Sequence, residues 1–165
     1  MSLPDLAAVL WRQRELLERL VYRLECEQLL LAAGRTRFLA LATSEVEALV
    51  EELRVVELQR ASAADRAAAD AGLPEGAPLE ELAGTVQPPW TEVLLEHRNA
   101  LLTLTGELAA LAEANRHLVS AGMKAVEAAL AGLGLREGTA TVGYDAQGRH
   151  DLITGGDRSV VDRSL

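Results

Sequence analysis

One cysteine, Cys26, stands in a chain of 165 residues. That excludes an internal disulfide framework and a cysteine-based zinc cluster, and it suits a reducing compartment. Aromatic residues are almost as scarce, with two tryptophans, two tyrosines and one phenylalanine. A β-sandwich or barrel would draw on aromatic and β-branched side chains, so the composition argues against both. No window approaches 18 uninterrupted apolar residues, so no transmembrane helix is expected. Met1-Ser2-Leu3-Pro4-Asp5 offers no basic segment followed by an apolar one, so no signal peptide is expected either. Basic residues are outnumbered, 16 Lys and Arg against 25 Asp and Glu, for a formal charge of −9. Phosphate binding needs a basic face, so nucleic acid is disfavoured as a partner. These absences describe a soluble, cytoplasmic protein with no membrane insertion.

Leucine, alanine and valine are present in abundance, and hydrophobic residues make up 49% of the chain. With Glu and Arg, these are largely helix formers. A first helix is predicted over about 4–33. Pro4 and Asp5 suit its first turn. Leu6, Leu10, Gln13, Leu17, Leu20, Leu24, Glu27 and Leu31 alternate at four and three, the spacing of a heptad seam. Gly34 fits a C-cap, although one glycine would also be tolerated in a continuous helix. A second helix is predicted over about 36–71, with Leu39, Ala42, Val46, Leu49, Leu53, Val56, Arg60, Ala63 and Ala67 on its seam. Beyond Leu58 this seam is alanine, and weak packing is expected there.

Residues 72–78 read as a loop from their Gly and Pro content, and Leu79–Ala83 as one helical turn. A third long helix is predicted over about 89–131. Its seam runs without a slip through Leu94, His97, Leu101, Leu104, Leu108, Leu111, Asn115, Leu118, Gly122, Ala125 and Ala129. The fold class expected is all-α: a long antiparallel helical hairpin, or three-helix coiled-coil-like bundle, over 1–131. A Gly-rich, polar, flexible tail follows over 132–165. In it Thr139–Tyr144 can pair as a short hairpin, and disorder is expected from Asp151 onwards.

Catalytic signatures are absent: no P-loop, no GxSxG and no HExxH. A di-metal bundle site would want Glu three residues before His. Leu94, Ala114 and Gln147 occupy that place before His97, His117 and His150, so no metal or cofactor is expected. Cys26 lies between Glu25 and Glu27, which disfavours the thiolate. His97 is expected to be half-buried on its seam. Asn115 either fixes register at a core layer or faces solvent. Trp11, Tyr22, Phe38 and Trp90 are expected as core anchors. Small residues crowd the end of the third helix, at Gly122, Ala125, Ala128, Ala129, Ala131 and Gly132. Met123, Val126, Leu130 and Leu133 add apolar bulk beside them, which suits either bundle packing or the docking of a partner helix.

Several segments together resemble the FlgN-type flagellar export chaperones of actinobacteria. They are Leu10–Leu17, Leu24–Leu30, Ala33–Leu39, Glu45-Val46-Glu47, Pro89-Trp90, Glu96-His97-Arg98, Asn115–Gly122 and Thr141–Gly148. The resemblance covers about residues 3–148. It implies a cytoplasmic chaperone of flagellar type III secretion that keeps hook-associated proteins, FlgK and FlgL, unassembled and delivers them to the export gate. It implies no enzymatic activity and no cofactor. Substrate contact in that family is attributed to the C-terminal part, which corresponds here to Leu118, Met123, Val126, Leu130, Leu133 and Tyr144. The segment after Leu135 departs from the family pattern by being Gly-rich and polar. Two other classes compete: a structural coiled-coil adapter or homo-oligomerisation rod, and a helical-bundle metalloprotein.

Overall fold

The computed structural model describes residues 2–132. In chain order these form α1 (Ser2–Ala32), a 3₁₀ turn (Thr36–Phe38), α2 (Leu39–Asp70), α3 (Leu79–Thr85) and α4 (Trp90–Gly132). The all-α expectation holds: no strand occurs among the described residues. The described residues divide into two units, one up to Val119 and the other from Ser120. The expected hairpin and disorder of the tail, and with them Leu133 and Tyr144, lie outside the described residues.

Gly34 reverses the chain. Its φ is +64°, and the Gly34 and Arg35 N–H groups donate to the carbonyls of Leu31 (3.1 Å) and Leu30 (2.9 Å). These two bonds make a Schellman motif, which satisfies carbonyls that the end of α1 would otherwise leave open. The same device ends α2. Gly72 has φ +76°, its N–H donates to Ala69 (3.1 Å), and the Leu73 N–H donates to Ala68 (2.8 Å). A third left-handed glycine, Gly76, closes the turn before α3, and its N–H donates to Asp65 Oδ1 at 2.9 Å.

Side-chain pairs give the helix directions within Met1–Val119. Ser2 meets Asp70, Gln13 meets Glu57, Arg23 meets Glu45, and Thr43 meets Glu27, so α2 runs antiparallel to α1. Arg14 meets Glu96, and Asn115 meets Leu24, so α4 runs parallel to α1. The apolar seams supply the core. Leu6, Leu10 and Leu17 pack with Leu94 and Leu101 of α4, Ala63 and Ala67 of α2, and Leu82 and Ala83 of α3. A second cluster joins Leu16, Leu20 and Leu24 to Leu49 and Val56. Full burial of each leucine contributes about 1.5–3 kcal/mol.

Two expectations are corrected here. The alanine end of α2 does not pack weakly, because Ala63, Ala67 and Ala68 are among the most buried residues. Side chains this small let neighbouring elements come close, and α3, a seven-residue helix rather than one turn, fills the space with Leu82 and Ala83. The aromatics are not core anchors. Trp11, Tyr22 and Phe38 are exposed, and Trp90 is half-buried. Trp11 and Tyr22 fall off the leucine seam, and each of these two rings lies against a neighbouring arginine, Arg14 or Arg23. Such contacts hold a ring at the surface with one face still covered.

Polar residues on the seams find one another. Asn115, buried on α4, donates from Nδ2 to the Leu24 carbonyl (3.0 Å) and to Glu27 Oε2 (3.1 Å). Thr43 Oγ1 donates to the other Glu27 oxygen at 2.9 Å. One carboxylate of α1 thus ties α2 and α4 into a single layer. Asn115 therefore fixes register and does not face solvent. Nearer the other end, Glu57 accepts from Gln13 Nε2 (2.6 Å) and from the buried Arg60, whose Nε lies 3.0 Å from Oε2.

Two predictions follow from these local geometries. No atom lies within 4 Å of a Cβ built at Gly34 or Gly72, so an alanine there meets only backbone strain. Gly34→Ala and Gly72→Ala should each lower stability by about 1 kcal/mol in chemical denaturation. An unchanged midpoint would mean that the left-handed caps contribute nothing. In a double-mutant cycle, Asn115→Ala and Glu27→Ala should show a coupling of about 1 kcal/mol or more. Strict additivity would show that the polar layer is not a unit.

Candidate functional site

The residues that α4 devotes to the bundle end near Leu118. Leu94, His97, Leu101 and Asn115 are buried, and Leu104, Leu108, Leu111 and Leu118 are half-buried. From Val119 to Gly132 every residue is exposed. Over this stretch the apolar pattern changes phase. The heptad positions that continue the seam hold Gly122, Ala125 and Ala129. The large side chains move one place along, to Val119, Met123, Val126 and Leu130. Their spacing of four, three and four is that of neighbours on one helix face. Their exposures are 44%, 61%, 59% and 44%, so the row lies open along its whole length. Val119 extends the row that the sequence reading began at Met123. Its signal was there, four residues before Met123.

Leu118 takes the seam position and is half-buried, so it sits beside the row and not within it. Met123, Val126 and Leu130 share the row, whereas Leu133 and Tyr144 lie outside the described residues. Between Ser120 and Gly132 the charged residues are Lys124 and Glu127. The face thus offers branched and thioether side chains beside a strip of Gly and Ala, with little charge. Methionine fills irregular gaps readily. Small residues allow a second helix to approach closely. What this arrangement can do chemically is bury an apolar helix face. It holds no nucleophile–base pair.

Elsewhere the described residues offer little that could act on a small molecule. A depression along α2, between Ser44 and Arg54, is walled by that one helix and encloses nothing. No group of three or more His, Cys, Asp or Glu side chains among the described residues could hold a metal ion. Cys26 is half-buried and free. No described helix is long and apolar enough to cross a membrane.

No curated protein and no solved structure matches this chain. A match does come from a protein family, described as FlgN protein, and it spans residues 1–151. It takes in all four helices, the polar layers and the exposed row. The chain therefore belongs to the FlgN family, a family of flagellar export chaperones.

Proposed function

We propose that this chain is a cytoplasmic type III secretion chaperone that binds hook-associated junction proteins of the FlgK and FlgL type and keeps them unassembled for export. The observation that carries this reading is the open row of Val119, Met123, Val126 and Leu130. An exposed apolar stripe of this length on a helix is what an amphipathic partner helix requires, read as anchors at i, i+4, i+7 and i+11. Leu118 flanks the row within the described residues, and Leu133 and Tyr144 are the further contacts assigned to the partner. The partner's own apolar face, which would otherwise drive premature assembly, is covered while it is held. Capture makes and breaks no covalent bond, so the role needs no catalytic group and no cofactor. Delivery to export-gate components would follow from release of the same face. Membership of an export chaperone family supports this reading, and the near absence of charge on the row suits an apolar helix as cargo.

The test separates binding from folding. Val126→Asp with Leu130→Asp places two carboxylates on the row, at positions exposed in the free protein. Helix content by circular dichroism should stay close to that of the parent, because substitutions at exposed sites change stability little. Affinity for the C-terminal helical segment of a hook-associated protein, measured by calorimetry, should fall by about 100-fold or more, as loss of two interface anchors requires. Full affinity in a well-folded double variant would move the site off this face. A homo-oligomer that dissociates in the double variant, without any affinity of the parent for the segment, would favour the structural adapter.

A further inference from the structure

His97 is the one buried histidine among the described residues. It lies on α4 between Leu94 and Leu101, the two fully buried residues that α4 gives to the first apolar cluster. Only 2% of it is exposed, and its Nδ1 is buried with no hydrogen-bond partner. The ring meets the indole of Trp11 on α1 edge-on, with centroids 5.0 Å apart and planes at 88°. The Arg14 guanidinium sits 4.5 Å from the centre of the same Trp11 ring. Arg14 is itself largely covered, and its Nε is buried without a partner.

The charged groups acting on His97 are Arg14 from α1 and Glu96 from α4 itself. Glu96 lies mostly in solvent, where it pairs with Arg14 at 3.4 Å. Into the same cluster α2 presents Ala63 and Ala67, and α3 presents Leu82 and Ala83, none of which can accept a proton or compensate a charge. A neutral imidazole fits this place. An imidazolium does not, because its Nδ1–H would have no acceptor, its charge would be desolvated, and a fixed cation stands nearby.

We propose that His97 is a proton-sensitive joint, and that uptake of one proton on its imidazole loosens α4 from α1. Burial holds the pKa of His97 below its ordinary value of 6.5, with Arg14 pushing the same way and Glu96 opposing more weakly. The opened state therefore binds the proton more readily than the closed one. The closed seam has its full stability above pH 6.5 and loses it as the pH falls from there towards the lowered value in the folded protein. The slope for a single proton is at most about tenfold in the opening equilibrium per pH unit.

Hydrogen exchange of the full chain, corrected for intrinsic rates and followed by mass spectrometry from pH 8 to 5.5, reads this opening directly. Peptides spanning 94–104 and 6–17 should open progressively more below pH 6.5 in the parent, and His97→Leu should remove that dependence. The same slope in His97→Leu, or a flat profile in the parent, overturns the proposal. Imidazole carbon resonances of the parent supply a readout that needs no variant. A His97 signal that titrates below 6.5, in step with the opening, is the expected result. Titration at the ordinary value, with exchange unaffected, overturns the joint. Because the joint lies in the bundle and not on the exposed row, failure of either idea leaves the other standing.

Discussion

A carboxylate or amide placed between packed helices must find a partner or it destabilises the fold by more than an apolar residue would add. Among the described residues the three seams carry five polar side chains, Gln13 and Glu27 on α1, Arg60 on α2, His97 and Asn115 on α4, and all but His97 meet another polar group. Leucine seams by themselves tolerate sliding by a heptad, since one leucine layer resembles the next. The Glu27–Asn115–Thr43 layer and the Gln13–Glu57–Arg60 layer do not. Displacing α4 by a turn would strand Asn115 among leucines and leave Glu27 with one donor. Parallel alignment of α1 with α4, and antiparallel alignment of α2, follow from where those few polar atoms sit.

The hairpin is specified by different means. Its two reversals are local, each built from one left-handed glycine and two backbone hydrogen bonds. They stop the helices whether or not the bundle has formed. Polar layers then select among the ways in which three such helices could lie together. Surface ion pairs such as Arg54–Glu51 and Arg12–Glu15 add little to either step, since exposed pairs contribute about 0–1 kcal/mol at most.

Much of this was legible in the residues. The 3/4 alternation placed three long helices, and Gly34 marked the only place where the first could turn back. The seam positions of Gln13 and Asn115 were legible too, but whether Asn115 turned inward or to solvent was decided only by the donors and acceptors that α1 places opposite it. What escaped was governed by size and by a neighbour. Alanine positions in α2 looked weak when read for bulk, yet small side chains bury well wherever another element approaches, and α3 was too short to read as that element. Trp11, Tyr22 and Phe38 looked like anchors when read for hydrophobicity, yet Trp11 and Tyr22 fall outside the leucine phase, where a side chain faces solvent and not the core. On α4 the change of phase after Leu118 was visible as Gly and Ala on the seam. Val119 was passed over because the row was read from Met123 onwards.

The unbroken course of α4 bears on how its exposed end is maintained. A free helix of thirteen residues is marginal in water, because the first turn must order several residues for a single hydrogen bond. Residues 120–132 do not form that first turn. They add to a helix that starts at Trp90 and is already anchored by Leu94, Leu101 and Asn115. Their helicity is propagation from an existing nucleus, at roughly equal odds per residue. Gly122 and Gly132 lower those odds, while the alanines raise them. The open face therefore draws its helical order from the anchored part of α4 and not from a nucleus of its own.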